Sequence, residues 1–175
     1  MKLLLPLLIA ATLVRPGPAA AVPECTASLT LPDSAQKLEV RWRQLADAPA
    51  FHETEGLDAK GLHALRVQCV LAQGGQLRSD VPLRAGDLTL AAGTRALGFT
   101  VALGGAPHFF VVDGENAVDL ASTEVKPGFS SAGLLMQWVW LGERHVQLVW
   151  QLGDRAGAVD LRVGAEPAPP APRGG

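Results

Sequence analysis

Leu134-Leu-Met-Gln-Trp-Val-Trp-Leu-Gly-Glu-Arg-His-Val-Gln-Leu-Val-Trp-Gln-Leu152 is the stretch that decides the fold. Met136, Trp138 and Trp140 occupy alternate positions and so share one face of an extended chain. Past the turn signal Leu141-Gly142-Glu143, Val146, Leu148, Trp150 and Leu152 repeat the pattern. Two adjacent runs of period two predict a β-hairpin with one face buried. Leu135, Val139, Leu141 and Val149, on the opposite faces, are apolar as well. Either a second layer covers that side, or it is offered to a partner or a lipid. The first role of Trp138, Trp140 and Trp150 is core filling, because cross-strand aromatic pairs stabilise a sheet. They are also the candidate ligand-binding residues, as the walls of a groove for a protein or a small apolar ligand.

The same rhythm extends outward from the hairpin. Leu38, Val40 and Trp42 alternate with Glu39, Arg41 and Arg43, which predicts a half-buried strand. His63, Leu65, Val67, Cys69 and Leu71 alternate too and predict another, ending at Gly74-Gly75. Between these, 46–61 is polar and non-periodic and reads as a long loop with room for one helical turn. Beyond Gly75, short apolar runs are separated by Gly-rich punctuation: Ala92-Gly93, Gly104-Gly105-Ala106-Pro107, Asp113-Gly114 and Gly153-Asp154. Phe109 to Val112 is continuously apolar, as in a strand buried on both faces. No sustained helical period is found. The fold class that follows is all-β: one antiparallel β-sandwich domain over 22–164 with about seven to nine strands.

The two ends of the chain read differently. Met1-Lys2 leads the apolar run LLLPLLIAATLV, and Arg15-Pro16-Gly17-Pro18 and Ala19-Ala20-Ala21 close it. This is the pattern of a secretory signal peptide over 1–21, cleaved after Ala21. The run is shorter than the ~20 residues a spanning helix needs, so no stable membrane insertion is expected once the leader is gone. Export, to the periplasm or outside the cell, follows, and the Gly/Pro/Ala/Arg-rich usage suits a bacterial genome of high GC content. In an oxidising compartment the even pair Cys25 and Cys69 is expected to form a disulfide. It would close a loop of about 45 residues, worth about 4 kcal/mol in the chain-entropy view. At the other end, AEPAPPAPRGG over 165–175 is too poor in burying residues to order itself.

Composition excludes some functions. The formal net charge of −2 and the absence of any Lys/Arg run disfavour a nucleic-acid surface. Tyrosine is absent, which weighs against an aromatic recognition platform.

The region from Pro82 to Gly164 resembles the later half of a family of exported bacterial proteins of unknown function. The shared segment here is Gly86-Asp-Leu-Thr-Leu-Ala-Ala-Gly-Thr94-Arg-Ala-Leu97-Gly-Phe, followed by strands at 98–103 and 107–113. The resemblance implies a β-sandwich. The family's earlier Arg-Pro and Trp-Arg-x-Gly-Ala-Asn segments have no counterpart, so it carries over no functional residue.

Direct signals of chemistry are sparse. Phe51-His52-Glu53-Thr54-Glu55-Gly56-Leu57-Asp58, with His63 following, is the densest polar cluster. Its ordinary role is a solvated loop. The enzymatic alternative is a divalent metal held by His52, Glu53, Glu55 and His63, as in a metal-dependent or hydrolase-like periplasmic enzyme. The cysteine spacing matches no zinc motif. Ser130-Ser131 lies in no nucleophile elbow, and Gly104-Gly105 lacks the lysine and helix of a phosphate loop. Asp113-Gly114 has the structural reason of a hairpin turn. No cofactor is expected, and the reading favours a non-enzymatic binding module.

Overall fold

A computed structural model describes residues 22–164 apart from Asp33. The leader (1–21) and the Pro/Ala-rich tail (165–175) lie outside the described residues.

Alternate-residue burial builds two antiparallel sheets. The first contains β1 (Glu24–Thr30), β2 (Lys37–Arg43), β3 (Gly75–Ser79), β6 (Gly93–Val101), β7 (Pro107–Asp113) and β8 (Asn116–Leu120), in that spatial order. The second runs β10 (Ser131–Gly142), β11 (His145–Gly153), β12 (Arg155–Val163), β4 (Leu83–Ala85), β5 (Leu88–Leu90), with β9 (Ser122–Val125) also on β12. The all-β class is therefore right, with twelve strands among the described residues in place of about seven to nine. The surplus is β4, β5 and β9, which are too short to show a period of two.

The core lies between the sheets. Leu38, Val40 and Trp42 of β2 and Leu97, Phe99 and Val101 of β6 face Met136 of β10 and Val146, Leu148 and Trp150 of β11. Trp42 is also a tie across the sandwich, since its indole nitrogen donates to the carbonyl of Leu134 at 2.7 Å.

One expected strand is a helix. Residues 63–71 form the middle of α1 (Ala59–Gln73). The alternation there is accidental, for Leu71 is 57% exposed while Cys69, Val70 and Gln73 are buried at helical spacing. Local chemistry sets the limits. The Asp58 carboxylate accepts from the Gly61 amide at 2.7 Å, a proper N-cap. Gly74, with φ 67°, supplies the left-handed C-terminal turn. Helix α1 packs on β6, β7 and β8 on the face turned away from the second sheet. Gly98 permits this approach, because a Cβ there would come within 2.8 Å of the Val70 Cα. The helix explains why Phe109, Phe110 and Val111 are all buried: one face of β7 meets the core and the other meets α1. No described helix is long and apolar enough to cross a membrane.

Candidate functional site

The β10–β11 hairpin is regular between two irregularities. Met136 pairs with Trp150, Trp138 with Leu148 and Trp140 with Val146, and register shifts occur before Leu135 and after Trp140. The connecting residues Glu143 and Arg144 both take positive φ, 45° and 61°, the handedness that matches strand twist in a two-residue turn. All three tryptophans face inward. Trp150 is buried against Phe109, with ring centroids 4.9 Å apart, and Trp138 and Trp140 are half-buried against the same core. Their position is that of filling, and they do not line an open groove together.

The opposite face of the hairpin presents Leu135, Val139 and Leu141 from β10 and Val149 from β11. Ala156 and Ala158 of β12 and Val125 of β9 continue it by register. Whereas α1 covers the outer face of the first sheet, no described helix crosses this one. Residues 126–130 reach only its margin, where the Gln151 amide donates to the Phe129 carbonyl. Phe129 is 64% exposed and, with Leu135 and Val149, borders a groove of about 140 Å³. Strand β10 is also the edge of its sheet. Past Leu134, whose amide donates to Leu45, β1 comes close to this side of β10 but no described strand forms a ladder with it. The sequence does carry a signal for this edge: Ser131–Gly142 contains no charged residue.

The polar loop disperses. His52 Nε2 meets Asp47 at 2.9 Å, and His63 Nε2 meets the Glu115 carbonyl at 3.2 Å. Glu55 is exposed in a turn. Glu53 alone is well embedded: its Oε1 accepts from Arg66 Nε and Thr100 Oγ1, both at 2.8 Å. Sequence spacing could not reveal these partners, which come from α1 and β6. Among the described residues no three His, Cys, Asp or Glu side chains gather closely enough to hold a metal ion, and the four proposed ligands do not converge.

Burial by itself would raise the Glu53 pKa, but the hydrogen bonds from Arg66 and Thr100 and the charges of Arg66 and His108 outweigh it and hold the carboxyl below the usual range. The ionised group therefore stabilises the fold at every pH above its unfolded-state value. That contribution fades as pH drops through that value and then through the lower folded one. Glu53→Gln is expected to lower stability by about 1.5–3 kcal/mol at neutral pH, the range for a hydrogen bond to a charged group. The deficit should shrink in acid, as measured by urea unfolding across a pH series.

Cys25 and Cys69 are both free thiols. The expected bridge is absent because the first sheet lies between them. Cys25 pairs with Trp42 and packs on the core side, while Cys69 sits in α1 on the other side, its Sγ 3.6 Å from the Ala50 carbonyl oxygen. Burial, and then the nearby Glu53 charge, push the Cys69 pKa up, which slows a thiolate reaction. Alkylation of the native protein should modify half-buried Cys25 and spare Cys69 until denaturant is added. Intact mass reports both.

No protein-family model matches the chain, and neither a curated protein nor a solved structure is significantly similar to it.

Proposed function

We propose that this chain is an exported, non-enzymatic binding module that receives an extended, apolar segment of a partner protein along β10 and the outer face of the β10–β11 hairpin. The observation that carries the reading is the character of that edge. Exposed edge strands are ordinarily blunted by charge, proline or brevity. β10 is twelve residues long, uncharged and free of proline, and is irregular only near its ends. An added strand would satisfy its free backbone groups, and the partner's side chains would cover Leu135, Val139 and Val149. The mild acidity of the chain fits a protein partner better than a nucleic acid. Export is supported by the leader pattern over 1–21, whose cleavage point falls just ahead of β1. N-terminal sequencing of exported protein should begin at Val22, and material retaining Met1 would count against it.

The docking surface is tested with a photo-crosslinking amino acid placed at Val139 or, as a control, at Lys60 on α1, in protein exported by its native host. A discrete adduct with another protein is expected from position 139 only. It should disappear when Leu135→Lys is added. Equal labelling from both positions, or none, would defeat the proposal. An adduct of twice this chain's mass would overturn the choice of partner in favour of a second copy.

A further inference from the structure

A second concave site lies at one end of the sandwich and shares only Trp150 with the groove beside β10. It is a cleft of about 330 Å³ bounded by His108 of β7, Asp119 of β8, Ser122 and Glu124 of β9, and Arg155 at the start of β12, and Trp150 also lines it. Its volume is that of a small-molecule pocket.

Two observations bear on what it could hold. The first concerns charge. Elsewhere some ionic groups engage one another, Glu53 with Arg66, Asp160 with His145, Arg95 with Asp113 and Arg41 with Glu39, while others, such as Arg43, Arg144 and Arg162, make no ion pair among the described residues. Among the described residues none of His108, Asp119, Glu124 and Arg155 makes an ion pair. The second concerns the indole. Trp150 is 4% exposed, yet its Nε1–H, like that of Trp138 outside the cleft, has no acceptor among the described residues. A buried donor is costly to leave unpaired, and the exceptions call for an explanation. Trp150, Gly157 and Glu124 form one cross-strand row. The indole lies over Gly157, where a Cβ would stand 2.8 Å from Nε1, so this glycine seats the ring at the wall of the cleft.

We infer that the cleft binds a small zwitterion. The indole N–H and the Arg155 guanidinium both seek an acceptor, and Arg155 seeks an anion, which a carboxylate supplies. Asp119 and Glu124 offer carboxylates to an ammonium group. The buried indole presents no open ring face, which disfavours a sugar stacked on an aromatic platform.

The test uses 6-aminohexanoate as probe, with hexanoate and hexylamine as its two halves, at constant ionic strength. The readout is the Trp150 indole N–H resonance, identified by its loss in Trp150→Phe. The zwitterion should shift that resonance and bind at least tenfold more tightly than either half. Arg155→Gln should abolish the advantage over hexylamine, and Glu124→Gln the advantage over hexanoate. The inference fails if the halves bind as well as the whole, if the resonance does not move, or if neither substitution alters binding. Val139→Lys, which blocks the β10 face at a position that lines neither groove, should leave the titration unchanged, so failure of one reading is separable from failure of the other.

Discussion

Gln73→Leu should destabilise the domain by about 3 kcal/mol although it replaces a buried polar side chain with an apolar one of similar size. Gln73 is 3% exposed, and its amide faces a single residue of the neighbouring strand. Its Nε2 donates to the Phe99 carbonyl at 2.7 Å, and its Oε1 accepts from the Phe99 amide at 2.8 Å. The need arises from strand lengths. β6 continues to Val101, but its neighbour β3 begins only opposite Leu97, where Gly75 pairs with it. Beyond that point the β6 edge has no strand beside it. Gln73, last residue of α1, takes the place of the missing strand residue. Leucine would fill the space and leave two buried backbone groups unpartnered, each costing about 1–3 kcal/mol. Gln73→Glu makes a sharper test: it keeps the acceptor, loses the donor and sets a carboxylate against the Phe99 carbonyl. It should be worse than leucine at neutral pH and recover toward it in acid, as the carboxyl gains a proton and can donate. Urea unfolding at both pH values reads this out. A leucine variant within about 0.5 kcal/mol of wild type, the usual spread of inconsequential substitutions, would show that the amide bridge contributes little.

That interaction also explains why α1 escaped the sequence. Its buried stripe includes Gln73, which is buried because it completes a sheet, beside the partly buried Arg66, which pairs with Glu53. A count of apolar residues passes over both, and chance alternation from His63 to Leu71 then suggests a strand. Asp58 and Gly74, the cap residues, were the better guide. Where burial is simply apolar, the sequence is transparent. Leu38, Val40 and Trp42 of β2, the inward residues of β10 and β11, and the doubly buried run at Phe109 all lie where period two places them. The candidate sites are legible only in part. The greasy outer face of the hairpin shows in Leu135, Val139 and Val149. The end cleft does not, because its charged residues come from four separate strands and share no spacing.

Phe109→Ala is expected to cost about 3–5 kcal/mol, the usual range for emptying a buried aromatic position. Phe109 is fully enclosed and stands third in a row of four rings. Phe51 meets Phe99 edge-on at 5.5 Å, Phe99 meets Phe109 at 5.6 Å, and Phe109 meets Trp150 at 4.9 Å. The row runs along the core face of the first sheet from the loop ahead of α1 to the indole at the end cleft. Removing its third ring opens a void against Trp150, so tryptophan emission should change along with stability. Phe110 supplies the matched control. It is equally buried, but it faces the other way, beneath the Arg66 guanidinium at 4.8 Å from its ring centroid. Phe110→Ala should also lose several kcal/mol through the α1 interface while leaving the Trp150 signal near its wild-type position. Adjacent residues of one strand would then report separately on the sandwich core and on the helical layer. If both variants disturbed the indole alike, the two faces of β7 would not be the separate packing environments that alternate burial requires.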